Sequence, residues 1–123
     1  MRMTGPSPQV RHMALLRALY RCERCLLPLS SQWSLHHRRP RRMGGTRRPD
    51  ANAPQNLLVL CGSGTTGCHG WLESHRTEAY QTGYLLYDLD DPLIHAYLDG
   101  DGDWWLLTED GGRIAHKPAD SPQ

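Results

Sequence analysis

His36-His37-Arg38-Arg39-Pro40, then Asn56-Leu57-Leu58-Val59-Leu60-Cys61, then Cys68-His69: these three stretches set two histidines, an asparagine and a third histidine in one order along the chain. Gln32 to His37 reads as a strand, and Asn56 to Leu60 as a second. Between them lie the 18 residues 38 to 55, interrupted by Pro40, Gly44-Gly45, Pro49 and Pro54. A connection that long inside a small domain is usually functional or mobile. A helix is predicted from about His69 to Thr82, with Leu72, His75 or Arg76, and Ala79 on one face and Gly83 in the left-handed cap position. The order strand, long loop, strand, helix is a ββα unit.

Two cysteine pairs bracket this unit, Cys22-Glu23-Arg24-Cys25 ahead of it and Cys61 with Cys68 behind the second strand. The 123-residue chain fits one domain, contains no Phe, and carries 12 Gly and 9 Pro, so its core is modest and an added staple is expected. The start of the chain does not combine basic, apolar and cleavage-site segments, and no apolar run is long enough to span a bilayer. An intracellular, reducing setting is therefore expected, with no membrane partner. There, paired cysteines read as zinc ligands in preference to disulfides, although the six residues inside the second pair exceed the usual spacing.

Further out, Ser7 can cap a helix with Pro8 at its first position, running to about Arg21 on Val10, Met13, Ala14, Leu16 and Tyr20. Beyond Gly83, Ile94–Leu98, Trp104–Thr108 and Arg113–Lys117 look like three short strands of a β-meander, packed on the core by Trp104 or Trp105 and dispensable for chemistry. Asp99-Gly100-Asp101-Gly102-Asp103 begins like a calcium loop. It has Trp104 where Gly is required and Asp110 where Glu is usual, so a hairpin turn is the better reading.

The formal net charge of +1 hides an asymmetry. Residues 1–83 carry 12 basic and four acidic side chains, residues 84–123 two basic and nine acidic. All the cations of the first part are Arg, the side chain suited to forked contacts with phosphate. Six of them, Arg38, Arg39, Arg41, Arg42, Arg47 and Arg48, fall within 11 residues beside the histidines, which points to a polyanionic partner.

Residues 22–76 resemble the HNH endonuclease family, and Leu60-Cys61-Gly62-Ser63-Gly64-Thr65-Thr66-Gly67-Cys68-His69-Gly70-Trp71 resembles in particular the four-cysteine zinc forms of actinobacterial phages. That resemblance implies an α+β fold with a ββα-metal core over residues 1–83, stapled by structural Zn2+ on Cys22, Cys25, Cys61 and Cys68. The acidic meander of residues 84–123 would follow on the same domain. It further implies that His36 and His69 ligate one catalytic divalent ion (Mg2+, Mn2+, Ni2+ or Zn2+), that His37 is the general base, and that Asn56 ties the loop between the strands. Glu73, one helical turn beyond His69, can join the ion or lie on a solvated helix face. The implied partner is DNA, gripped by the loop arginines and Arg76 and cut to 5′-phosphate and 3′-hydroxyl ends in the cytoplasm of a bacterial host. Terminase and portal are the implied protein partners in phage genome packaging. Strand alternation agrees with separate roles for the paired histidines, since neighbours on a strand face opposite ways. The rival from another class is a catalytically silent zinc module for DNA binding or packaging assembly.

Overall fold

The computed structural model describes residues 5–40 and 49–117. Helix α1 spans Pro8–Arg17, and its N-terminus is capped as expected, with Ser7 Oγ accepting from Val10 N at 3.2 Å. It stops short of Arg21 because Leu19 and Tyr20 adopt left-handed backbone, φ 56° and 58°, which no helix continues through. The chain then turns into the Cys22–Cys25 knuckle.

Strands β1 (Trp33–His37) and β2 (Leu57–Cys61) pair antiparallel, with His36 opposite Leu58 and His37 opposite Leu57. The apolar run of β2 does not alternate because both of its faces are covered. Val59 packs with Ala14 and Ala18 of α1, while Leu58 and Leu60 pack with Leu72, Tyr97 and Leu107. A buried ion pair locks α1 to this strand. Arg17 grips Glu23 with Nε and Nη2 at 2.9 and 2.8 Å and donates to the carbonyls of Pro54 and Leu57, while Glu23 accepts from Val59 N. A charged pair of this kind is tolerable in an interior only with its remaining donors and acceptors satisfied.

The single helix expected over 69–82 is two, α2 (Gly67–Ser74) and α3 (Arg76–Gln81). The break falls at His75, φ −132° and ψ 54°. There the Ser74 hydroxyl donates to the Trp71 carbonyl at 3.1 Å and the His75 ring to the same oxygen at 3.0 Å, so side chains compete for a helix acceptor. Leu72 and Ala79 are buried as their shared face predicts.

Strands β3 (Tyr97–Leu98), β4 (Trp104–Leu107) and β5 (Arg113–Ala115) form the expected meander, shorter than its sequence pattern. Asp99 organises its first turn, accepting from the backbone of Asp101 and Asp103 and from the Trp105 indole at 2.8 Å. The C-terminal part is built into the core: Tyr84, Leu85, Tyr97 and Leu107 are almost wholly buried in the same cluster as Leu58, Leu60 and Cys22. The chain is thus a small mixed α+β protein of two short sheets and a few helices. Among the described residues no helix is long and apolar enough to cross a membrane.

Candidate functional site

The thiol sulfurs of Cys22, Cys25, Cys61 and Cys68 all lie within 4.8 Å of one another, and all four cysteines are free. Cys25 and Cys61 Sγ are 3.9 Å apart, close to the roughly 3.8 Å between sulfurs bound tetrahedrally to zinc at about 2.3 Å. The long spacing of the second pair is closed by two glycines. Gly62 and Gly67 have φ 87° and 61°, and a Cβ on them would lie 2.1 Å from the Thr66 oxygen and 2.6 Å from the Cys61 oxygen. Only glycines allow the loop ends to meet so closely, so Cys61 and Cys68 reach one point across six intervening residues. Backbone N–H groups of Cys25 and Cys68 point at Cys22 and Cys61 Sγ at 3.5 and 3.4 Å.

Arg24 donates to Cys68 Sγ at 3.3 Å while its guanidinium lies 3.8 Å over the Trp71 ring. A positive group is thereby held against the sulfurs. Cys22 is pulled down to about 4 by its hydrogen bond with Cys68, against desolvation, and the same bond pushes Cys68 up. Cys25 is pushed up by burial. One thiolate is favoured and its neighbours resist ionising beside it, a conflict that a central cation removes. Four such cysteines suggest a zinc site.

His36, on β1, is buried and donates from Nε2 to the carbonyl of Tyr84 at 2.7 Å, leaving Nδ1 as its lone-pair nitrogen. Burial holds its pKa down to about 3, so the ring is neutral. His69, in the first turn of α2, faces it with ring centroids 5.3 Å apart, and its buried Nδ1 has no hydrogen-bond partner among the described residues. Burial lowers its pKa too, with Glu73 opposing. An orphaned ring nitrogen beside a neutral imidazole whose far nitrogen is fixed by a carbonyl is a donor pair suited to a divalent ion. The 5.3 Å separation matches the roughly 5 Å expected for two imidazoles sharing one ion at about 2.1 Å. Glu73 does not complete a three-ligand group with them: its carboxylate pairs with Arg76 at 3.3 Å, both side chains half exposed.

His37, the next residue, hydrogen-bonds through Nε2 to Asn52 Oδ1 at 2.8 Å. Asn52 was not anticipated. It lies in the loop turn four residues before Asn56, where a polar side chain in Asp50-Ala51-Asn52-Ala53-Pro54 reads only as turn chemistry. Asn56 itself is buried and spans the loop, accepting from Arg39 N at 3.0 Å and donating to the Ala51 carbonyl at 2.9 Å.

The arginines divide. Arg38 is fully buried and donates to the carbonyls of Gly83, Gln55, Pro92 and His95 at 2.9, 3.1, 3.2 and 2.6 Å. Burial lowers its pKa to about 10. Arg39 is buried as well, paired with Asp50 and donating to the Asp90 carbonyl. The expectation that these two grip phosphate is therefore corrected: their donors are spent on the main chain and on an acid of this protein. Arg76 is exposed, and Arg41, Arg42, Arg47 and Arg48 lie outside the described residues.

The chain matches no protein-family model, no curated protein and no solved structure.

Proposed function

We propose that this protein is a metal-dependent HNH endonuclease cleaving DNA to 5′-phosphate and 3′-hydroxyl ends. Its β1, β2 and α2 would form a ββα-metal core, and Cys22, Cys25, Cys61 and Cys68 would hold a structural zinc. The observation that carries the reading is the meeting of His36 and His69 across β1 and α2, with the next residue, His37, tied to a loop asparagine. His36 and His69 are the residues to hold a catalytic divalent ion, which would cancel charge on the scissile phosphate and its leaving oxygen. His37, whose Nε2 donates to Asn52, is the residue to act as the base that takes a proton from water. The resemblance extends the proposal to a phage protein acting with terminase and portal in a bacterial cytoplasm.

A second reading, a silent zinc module for DNA binding or packaging assembly, is favoured by one observation. Glu73 is diverted to Arg76, so the ion would have two protein ligands among the described residues. A plasmid-nicking assay with and without added Mg2+, Mn2+, Ni2+ or Zn2+ separates the two. Metal-dependent nicking that His37→Ala abolishes supports the enzyme, and binding without nicking under every metal supports the silent module.

A further inference from the structure

An open groove of about 560 Å³ is lined by Arg76 and Tyr80 of α3, by Pro40 and by residues 86–89. Its walls are unusual for a protein surface. Tyr80 and Tyr87 stack face to face, centroids 4.3 Å apart and 12° from parallel, yet Tyr87 remains 63 % exposed and Leu89 90 %. Arg76 sits 5.9 Å from the Tyr80 ring on α3 and pairs with Glu73 of α2 at 3.3 Å. Two hydrogen bonds tie the groove's segment to the histidine strand: the Tyr84 carbonyl accepts from the His36 ring, and Leu86 N donates to the Arg38 carbonyl at 2.8 Å.

We infer that this groove is a stacking platform for one unpaired nucleobase of DNA, next to the nucleotide whose phosphate reaches His36 and His69. Every base has a π-face for the exposed ring of Tyr87, which Tyr80 backs and holds flat. Arg76 supplies the cation for a flanking phosphate. A base inside a duplex has no free face to offer, so the platform selects single-stranded or locally opened DNA. This inference rests on the nuclease reading for its DNA partner and adds the strandedness of the substrate.

The test uses the full zinc-loaded chain without added divalent metal, titrated against a short labelled oligo-dT and a duplex of equal length. Tyr87→Ala should weaken oligo-dT binding about tenfold, leave duplex binding and zinc content unchanged, and be rescued by Tyr87→Trp. A 2-aminopurine placed in the oligo should be quenched on binding the unmutated protein. Oligo-dT binding by Tyr87→Ala equal to that of the unmutated protein, or no quenching, overturns the platform. If metal-dependent plasmid nicking persists in that case, the nuclease reading survives it. A protein that binds neither DNA and nicks nothing overturns both.

Discussion

The imidazole of His36 donates to the main-chain carbonyl of Tyr84 at 2.7 Å, so the orientation of a β1 histidine is set by the first residue after Gly83. The first residue after β1 leans on the C-terminal part as well: Arg38 donates to the Gly83, Pro92 and His95 carbonyls, and its own carbonyl accepts from Leu86 N. The acidic C-terminal part is thus an internal wall of the histidine site.

Truncation after Gly83 should for that reason leave an unfolded fragment. It removes Tyr84, Leu85, Tyr97 and Leu107 from the core and strips Arg38, whose guanidinium is buried in the intact chain, of two acceptors. Loss of dispersed amide signals in a two-dimensional NMR spectrum, together with rapid proteolysis, is the expected result. A folded fragment that retains metal would show that residues 8–83 carry a sufficient core alone.

Purified protein should contain about one zinc per chain beyond any catalytic ion, and Cys22→Ser or Cys61→Ser should unfold it, since structural zinc contributes on the order of 10 kcal/mol in small domains. Metal analysis by mass spectrometry and loss of the thermal transition on chelation check this. Protein kept reduced throughout that holds no zinc and resists chelator would rule the site out.

The sequence pattern located the strands of the first sheet, the capped start of α1, the three-stranded meander and the cysteine cluster because each depends on local rules: apolar runs between turn residues, Ser-Pro capping, Asp-Gly turns, paired thiols. What it could not show depended on long-range partners. Arg38 reads in sequence like any cation of an arginine-rich loop, and only the carbonyls of residues 83, 92 and 95 mark it as a buried clamp. The break at His75 arises from side chains of Ser74 and His75 returning to the Trp71 carbonyl, which helix propensity does not register. The Tyr84 carbonyl carries no side-chain signature at all.

Arg38→Ala should cost roughly 3 kcal/mol or more, because it leaves buried carbonyls without donors. It should not change the salt dependence of DNA binding in whatever fraction remains folded. Urea midpoints and binding slopes across a salt series measure the two effects. A slope flattened by about 0.9 log units per lost contact, with stability intact, would return Arg38 to the phosphate-binding surface.

Acid should destabilise the protein partly through His36. Its folded pKa, about 3, lies below the ordinary value of 6.5, so as pH falls below about 6.5 the unfolded chain takes up a proton that the folded one refuses. Stability is full above that pH and declines with a slope of up to about 1.4 kcal/mol per unit toward pH 3. Protonation of the cysteines adds its own loss but is shared by variants, so the informative quantity is a difference. Urea unfolding at pH 7 and pH 5 should show a smaller drop for His36→Asn than for the unmutated chain. Equal drops would mean that His36 is not held neutral by burial.

His37 and Asn52 give the most specific expectation for the chemistry. The Nε2···Oδ1 contact of 2.8 Å makes the Asn52 carbonyl oxygen an acceptor, which fixes the proton on Nε2 and makes Nδ1 the basic nitrogen. His37→Ala should lower the nicking rate by about 10²- to 10⁴-fold, the range a general base contributes, with zinc content and thermal midpoint unchanged. Asn52→Leu keeps the branched shape but removes the acceptor, so the ring can turn or exchange tautomers. It should cost on the order of tenfold, the equivalent of one ordinary hydrogen bond, and Asn52→Asp should recover most of that rate by restoring an acceptor. The aspartate should also shift the alkaline-going rise of the pH–rate profile upward, because a carboxylate beside the ring favours its protonated form. A rate in Asn52→Leu equal to that of the unmutated protein, or a profile that Asn52→Asp leaves in place, would show that the asparagine holds the loop and does not orient the base.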